Sequence, residues 1–311
     1  MPIKIADGLS AKAKLQEEGI YTIDQDRAMH QDIRPLRIAI LNLMPLKKPT
    51  ELQLLRLLGY TPLQVEVDFC HTVTHEATHT DASYLEQNYC TFDDIKNNYY
   101  DGLIVTGAPV ETLPFNYVDY WSELKAYFEW AKTHVFSTLS LSWDAQAGVY
   151  YYYGIHKHTL PKKFFGIYEY QLTVRNHPLL RGFDDRYFIP QSRHTTIDDA
   201  AVDRNPALQV LSRSTDHGIN IIGTPDYRRF FILGHFEYDR RTLEGEYLRD
   251  KNKGLPIDLP AHYYPHGDDT QTPSFIWCSY AHLFYQNWLN IVYQETPFEL
   301  YSISSVHPTA H

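Results

Sequence analysis

The chain has 311 residues, 38 acidic against 28 basic side chains for a formal charge of −10, three cysteines and 43% hydrophobic residues. The negative balance opposes nucleic acid and anionic membrane surfaces as partners. Three cysteines make no disulfide framework, which points to a reducing, cytoplasmic setting; no run approaches the roughly 18 apolar residues of a membrane span, and the N-terminus lacks a signal-peptide core.

Residues 1–34 are polar and are expected to wrap the surface of a catalytic core over about 35–300, with 301–311 a flexible tail. With no internal repeat, low-complexity tract or linker, a single domain is expected. Leu36 to Leu43 is a continuous apolar run, the pattern of a parallel strand covered on both faces. Thr50 to Leu58 repeats apolar residues at helical spacing and meets Gly59, a helix stop. Leu63 to Phe69 alternates as a strand, and Asp101 to Thr106 reads as another. Between them, His71, His75 and His79 recur every four residues, which on a helix would stack three imidazoles. The intervening threonines and missing apolar stripe favour a surface loop, and no metal is expected there or at Asp268-Asp269 beside His266. The chain has no Walker loop and no dinucleotide glycine fingerprint.

Val118 to His134 is an amphipathic helix that feeds the apolar run Val135 to Leu141. That run passes directly into the helix-like Ser142-Trp143-Asp144-Ala145-Gln146-Ala147-Gly148. A strand that turns at once into a helix lifts the turn residue out of the sheet and aims free backbone N–H groups at it. Ser142 is thus either the tip of a nucleophile elbow or an ordinary capping serine. Tyr150 to Tyr153 on the same helix are expected to pack, without chemistry. Downstream, Leu208 to Gly234 resembles a hairpin region, and about Ser274 to Tyr293 a long aromatic helix. The segment Phe230-Phe231-Ile232-Leu233-Gly234-His235-Phe236-Glu237 carries an imidazole and a carboxylate two residues apart, on the same side of an extended chain. Ser142, His235 and Glu237 supply a nucleophile, its base and the anion that orients the base. The alternation of strands and helices predicts an α/β fold with a doubly wound, mostly parallel sheet and a site at the strands' carboxyl ends.

The chain resembles the homoserine O-acyltransferases of methionine biosynthesis, in the branch related to class I glutamine amidotransferases. The matching blocks run nearly end to end. They include Asp32-Ile33-Arg34-Pro35-Leu36, Leu41-Asn42-Leu43-Met44-Pro45, Asp101-Gly102-Leu103-Ile104-Val105-Thr106-Gly107-Ala108-Pro109, Gly234-His235-Phe236-Glu237-Tyr238-Asp239 and Asn287-Trp288-Leu289-Asn290. The resemblance implies a class I glutamine amidotransferase-like fold and an acylated elbow residue served by His235 and Glu237. In the family that residue is cysteine. Here it is Ser142, either a native serine of a Ser–His–Glu enzyme or a substitution that cripples transfer, since a thiol is partly ionised near neutrality and a hydroxyl is not.

The same resemblance assigns substrate binding to Lys163, Ser192 and Arg249, the last as a bidentate grip on an amino-acid carboxylate. It assigns the acyl donor to Glu111. A carboxylate there repels the free carboxylate of a succinyl group and spares acetyl, so acetyl-CoA is the expected co-substrate, with no permanently bound cofactor. The backbone N–H of Trp143, with another near Gly107 or Ala108, would hold the oxyanion. The expected partners are acetyl-CoA and L-homoserine, and the expected assembly a homodimer. L-serine as acceptor stays open, because one methylene is worth only about 1–3 kcal/mol of discrimination. Succinyl transfer, a glutaminase-like hydrolase and an inactive binding protein also stay open.

Overall fold

The apolar runs become the middle of a sheet. In the computed structural model, which describes residues 3–4, 9–17, 22–23, 34–75 and 80–305, the chain runs β1 (Ile3–Lys4), α1 (Ala11–Glu17), β2 (Thr22–Ile23), β3 (Leu36–Leu41), α2 (Lys47–Leu58), β4 (Val65–Cys70), α3 (Ala82–Asn88), α4 (Phe92–Ile95) and β5 (Tyr100–Val105). It continues through α5 (Trp121–His134), β6 (Val135–Leu141), α6 (Trp143–Tyr153), β7 (Lys157–Leu172), β8 (Arg186–Ile197), α7 (Asp199–Asp203), β9 (Gln209–Ser214), β10 (Gly218–Gly223), β11 (Arg229–Ile232), α8 (Thr242–Asn252) and α9 (Cys278–Glu295). The described strands form one 11-stranded sheet in the order β2-β1-β4-β3-β5-β6-β11-β10-β9-β7-β8. Neighbours from β2 to β11 pair in parallel, and those from β11 to β8 are antiparallel.

The central strands are apolar throughout because both faces are covered. Every residue of β5 and β6 is buried. On one face, leucines of α2 and Phe284, Trp288 and Leu289 of α9 pack with Ile38, Ile40 and Ile104. On the other, Tyr127, Phe128 and Trp130 of α5 and Trp143 of α6 pack with Leu103 and Val105. Gly102 makes the first contact possible: a Cβ there would stand 2.6 Å from the Trp288 ring. Trp288 Nε1 in turn donates to Ser137 Oγ (3.1 Å), so the indole is both packed and satisfied. The Arg34 guanidinium clasps the fully buried Asp101 through two hydrogen bonds of 2.9 Å, tying the entry of β3 to the start of β5.

Several expectations change. Residues 1–34 do more than wrap the surface: β1 and β2 extend the sheet, and Leu9, Ala11 and Leu15 are buried in the core. The helix before Gly59 begins at Lys47, and Gly59 ends it in a right-handed conformation, so the stop does not use glycine's left-handed freedom. The antiparallel pair β7–β8 and helix α8 were not foreseen, because both are polar and only partly buried. Past residue 300 the chain makes a 3-10 turn with Ile303 buried, while 306–311 lie outside the described residues. His71 bonds the Thr72 carbonyl and His75 Nδ1 lies 2.6 Å from Asp119, while His79 lies outside the described residues. The four tyrosines pack as expected: Tyr150 stacks on Phe115, Tyr151 and Tyr152 lie tilted against Phe128, and Tyr153 meets Phe231 edge-on. No helix among the described residues is long and apolar enough to cross a membrane.

One buried group opposes the fold. Asp144, at the start of α6, is fully buried, and neither carboxyl oxygen has a hydrogen-bond partner among the described residues. Burial pushes its pKa well above the usual carboxylate range, opposed by the neighbouring Ser140 hydroxyl. The unfolded chain releases this proton near the ordinary carboxylate pKa while the folded chain keeps it. Its contribution to stability is therefore greatest at acid pH and is lost as pH rises. Asp144→Asn, a neutral isostere, is expected to gain stability relative to the parent between about pH 4 and pH 8, by roughly 2–4 °C in Tm for each kcal/mol. Thermal melts across that range check it; a pH-independent difference contradicts it.

Candidate active site

Four parallel strands deliver the site from their carboxyl ends, where such sheets place ligands. Met44 and Pro45 follow β3, Gly107 to Glu111 follow β5, Ser142 follows β6, and His235 follows β11. The ends of β3 and β5 are knitted together: Thr106 N–H donates to Leu41 O (3.1 Å), and Leu43 N–H to Thr106 Oγ1 (2.8 Å). Asn42 shapes the turn beyond, accepting from Met44 N–H (3.2 Å) and donating to Tyr89 Oη (3.0 Å).

Ser142 is the elbow itself. Its φ of 53° and ψ of −111° are strained for a non-glycine residue, and its N–H donates to Ile232 O at 2.6 Å. Its side chain makes no cap hydrogen bond to α6, so the capping role is not the one it plays. As the first residue of α6, Trp143 has no intrahelical acceptor for its N–H. Its indole points elsewhere, packed against Phe115 and Tyr120.

His235 and Glu237 come together, but not as alternate residues of a strand. Strand β11 ends at Ile232, and both residues sit in the turn that follows. There His235 Nδ1 lies 2.7 Å from Glu237 Oε1, with both side chains buried. The His235 N–H is fixed to Pro190 O (2.9 Å), and its ring stacks on Tyr238 with centroids 4.0 Å apart. Gly107 sits beside both Ser142 and His235: the point where its Cβ would stand is 3.5 Å from Ser142 Oγ and 3.7 Å from His235 Cε1.

The other expected residues line the same cavity of about 290 Å³: Glu111, Lys163, Ser192 and Arg249, beside Ser142 and His235. Glu237 stands behind the imidazole, outside the lining. Sequence reasoning missed the carboxylates that organise the far wall. Glu246 receives the Ser192 hydroxyl (2.5 Å) and the Tyr238 hydroxyl (2.8 Å), and lies 3.5 Å from Lys163 Nζ. Asp250 lies 3.6 Å from Lys163 Nζ and receives Arg249 Nε at 2.7 Å. Arg249 is half exposed, and among the described residues its terminal nitrogens make no hydrogen bond; the Asp250 hydrogen bond raises its pKa further. Arg249's hydrogen bond in turn helps to hold the Asp250 carboxyl below its ordinary pKa against the opposing effect of burial. The spacing Glu246-x-x-Arg249-Asp250 would have marked one helix face, had α8 been recognised as a helix. Burial and the neighbouring carboxylates keep Tyr238 firmly protonated.

Known proteins fit this geometry. The family model described as homoserine O-succinyltransferase matches residues 2–298. A homoserine O-acetyltransferase of Agathobacter rectalis is 53% identical over 300 residues, covering 96% of this chain and 97% of that one. A homoserine O-acetyltransferase of Lachnoclostridium phytofermentans is 54% identical over 301 residues, covering 96% and 100%. Among solved structures, a glutamine amidotransferase of Thermotoga maritima matches with a TM-score of 0.52 at 12% identity, covering 84% of this chain and all of that one. A glutamine amidotransferase of Methylobacillus flagellatus matches with a TM-score of 0.53 at 12% identity, covering 83% and 95%. These two share the fold, a class I glutamine amidotransferase-like sheet with helices on both faces.

The elbow's strain makes a prediction. Glycine adopts positive φ freely, so Ser142→Gly is expected to be more stable than Ser142→Ala by roughly 1 kcal/mol, despite glycine's larger unfolded-state entropy. Denaturant titration of the two variants measures this. An alanine variant as stable as the glycine one would show that the turn stores no strain.

Proposed function

The chain belongs to the homoserine O-succinyltransferase family, and from that premise we propose that it transfers an acetyl group from acetyl-CoA to the hydroxyl of L-homoserine through an acyl-enzyme at Ser142. The observation that carries the mechanism is a single cavity lined by Ser142, His235, Lys163, Arg249, Glu246 and Asp250, with Glu237 paired to His235 behind the imidazole.

Glu237 accepts the Nδ1 proton of His235, which leaves Nε2 as the base. Nε2 takes the Ser142 hydroxyl proton as Oγ bonds to the thioester carbonyl carbon. The tetrahedral oxyanion sits against the Trp143 N–H and a second N–H from the Gly107–Ala108 turn. Collapse breaks the carbon–sulfur bond, and CoA departs as the thiol with the proton from His235. In the second half the homoserine hydroxyl attacks the acetyl-serine ester, its proton passes to His235, and Ser142 Oγ leaves with that proton. A serine hydroxyl, unlike a thiol, is not ionised near neutral pH, so the acylation step depends wholly on His235.

A zwitterionic acceptor suits the far wall, where Lys163 of β7 and Arg249 of α8 stand beside the carboxylates of Glu246 and Asp250. Arg249 offers its free guanidinium nitrogens to the amino acid's carboxylate. Glu111 favours the acetyl donor: it lines the cavity, and a carboxylate there repels a succinyl carboxylate.

Steady-state kinetics with both donors test the reading, with products identified by mass spectrometry. Acetyl-CoA is the expected preferred donor. Glu111→Gly is expected to shift the ratio of kcat/KM values toward succinyl-CoA by about tenfold, or ~1.4 kcal/mol. A parent protein that prefers succinyl-CoA would replace the acetyl assignment. Glu237→Gln is expected to lower kcat by about a hundredfold or more with little change in donor KM, since it misorients the base without touching the binding wall.

A further inference from the structure

We propose that Lys157 is a positioning residue for donor selectivity, clamping the turn that carries Glu111 against the active-site cavity. This rests on the assignment of Glu111 to donor choice. The turn leaves β5 and runs through residues 109–113, with Thr112, Leu113 and Pro114 exposed. One internal backbone bond closes it, from Leu113 N–H to Val110 O (3.0 Å). The Lys157 ammonium, from the first residue of β7, crosses to this turn and donates to the carbonyls of both Glu111 and Leu113, the latter at 2.7 Å. Among the described residues no other hydrogen bond engages those two carbonyls.

The clamp is referenced to the nucleophile. Lys157 Nζ lies 4.6 Å from the centroid of the Phe115 ring, a cation–π contact. Phe115 packs against Tyr150 and Trp143 of α6, with centroids 4.8 and 5.9 Å away. The position of Glu111 is thereby fixed to the helix that begins at the elbow. Lys157 binds the Glu111 backbone carbonyl, not its side chain. Burial of the ammonium lowers its pKa to about 8, with the Glu111 carboxylate opposing the shift.

The turn also has somewhere to go. A second cavity of about 370 Å³ shares Glu111 and Thr112 with the active-site cavity and is lined on its far side by Lys157, His156 and Tyr150. Glu111 thus stands in the partition between two spaces. Without the clamp the turn can relax into the second cavity and carry the carboxylate away from the donor's acyl group.

Equilibrium binding separates this role from catalysis. Calorimetric titration of acetyl-CoA and succinyl-CoA into the full-length protein carrying Ser142→Ala gives the ratio of the two Kd values with no chemistry in progress. In that background Glu111→Gly is expected to lower the preference for acetyl-CoA, and Lys157→Met to lower it by about threefold or more. In the Glu111→Gly background, Lys157→Met is expected to leave the ratio unchanged, because it acts through Glu111. Hydrogen exchange of residues 109–114 is expected to quicken in the Lys157 variant, and Lys157→Gln provides a second variant should methionine impair folding. If Glu111→Gly leaves the ratio unchanged, the donor assignment falls and the role of Lys157 falls with it. If Glu111→Gly moves the ratio while a folded Lys157 variant does not, only the clamp is overturned. An equal effect of Lys157→Met with and without Glu111 likewise overturns it.

Discussion

The structure turns on the backbone at Ser142. A strand that ends there and a helix that begins one residue later require a φ of 53°, and the N–H of the same residue is held by Ile232 O at the end of the adjacent parallel strand. That bond joins the ends of β6 and β11, the two strands that lead into Ser142 and His235. Strain of this kind persists only where its surroundings over-determine it, and here all of β6 and the first seven residues of α6 are buried. Gly107 adds to the constraint, since a Cβ there would stand 3.1 Å from Ser142 Cβ and 3.7 Å from His235 Cε1.

The rest of the site is layered onto that junction. Parallel strands supply the reacting groups, and the antiparallel extension with α8 supplies the charged wall. Lys163 comes from β7, Ser192 from β8, and Glu246, Arg249 and Asp250 from α8. Amidotransferase-like neighbours share the fold at 12% identity, and a fold alone does not specify a substrate. We assign specificity to the added wall and to the Glu111 turn, both of which line the cavity.

The central strands were legible because burial on both faces leaves an unbroken apolar signature; β6 falls on the expected residues from Val135 to Leu141. The elbow was legible for the same reason: no loop residues separate that run from the helix. The pair β7–β8 was not, since its half-exposed faces carry Lys157, His158, Lys162 and Lys163 in no regular alternation. Helix α8 was hidden by its polarity, with only Leu243 and Tyr247 buried, and with it went Glu246 and Asp250. Nor could spacing alone reveal how His235 and Glu237 meet, because a turn beyond β11, not strand geometry, pairs them. The resemblance to homoserine O-acyltransferases supplied Lys163, Ser192, Arg249 and Glu111; their convergence on one cavity is a property of the fold.

Serine at the elbow sharpens the central claim, because an oxygen ester is chemically distinct from a thioester and leaves a separate trace. Intact mass measurement of the protein incubated with acetyl-CoA and no acceptor, followed by peptide mapping, reads that trace directly. The account predicts one acetyl group on the Ser142 oxygen, resistant to neutral hydroxylamine under conditions that cleave a thioester, and discharged when L-homoserine is added. Turnover with no acetyl group at residue 142, or undiminished turnover by Ser142→Ala, would contradict it.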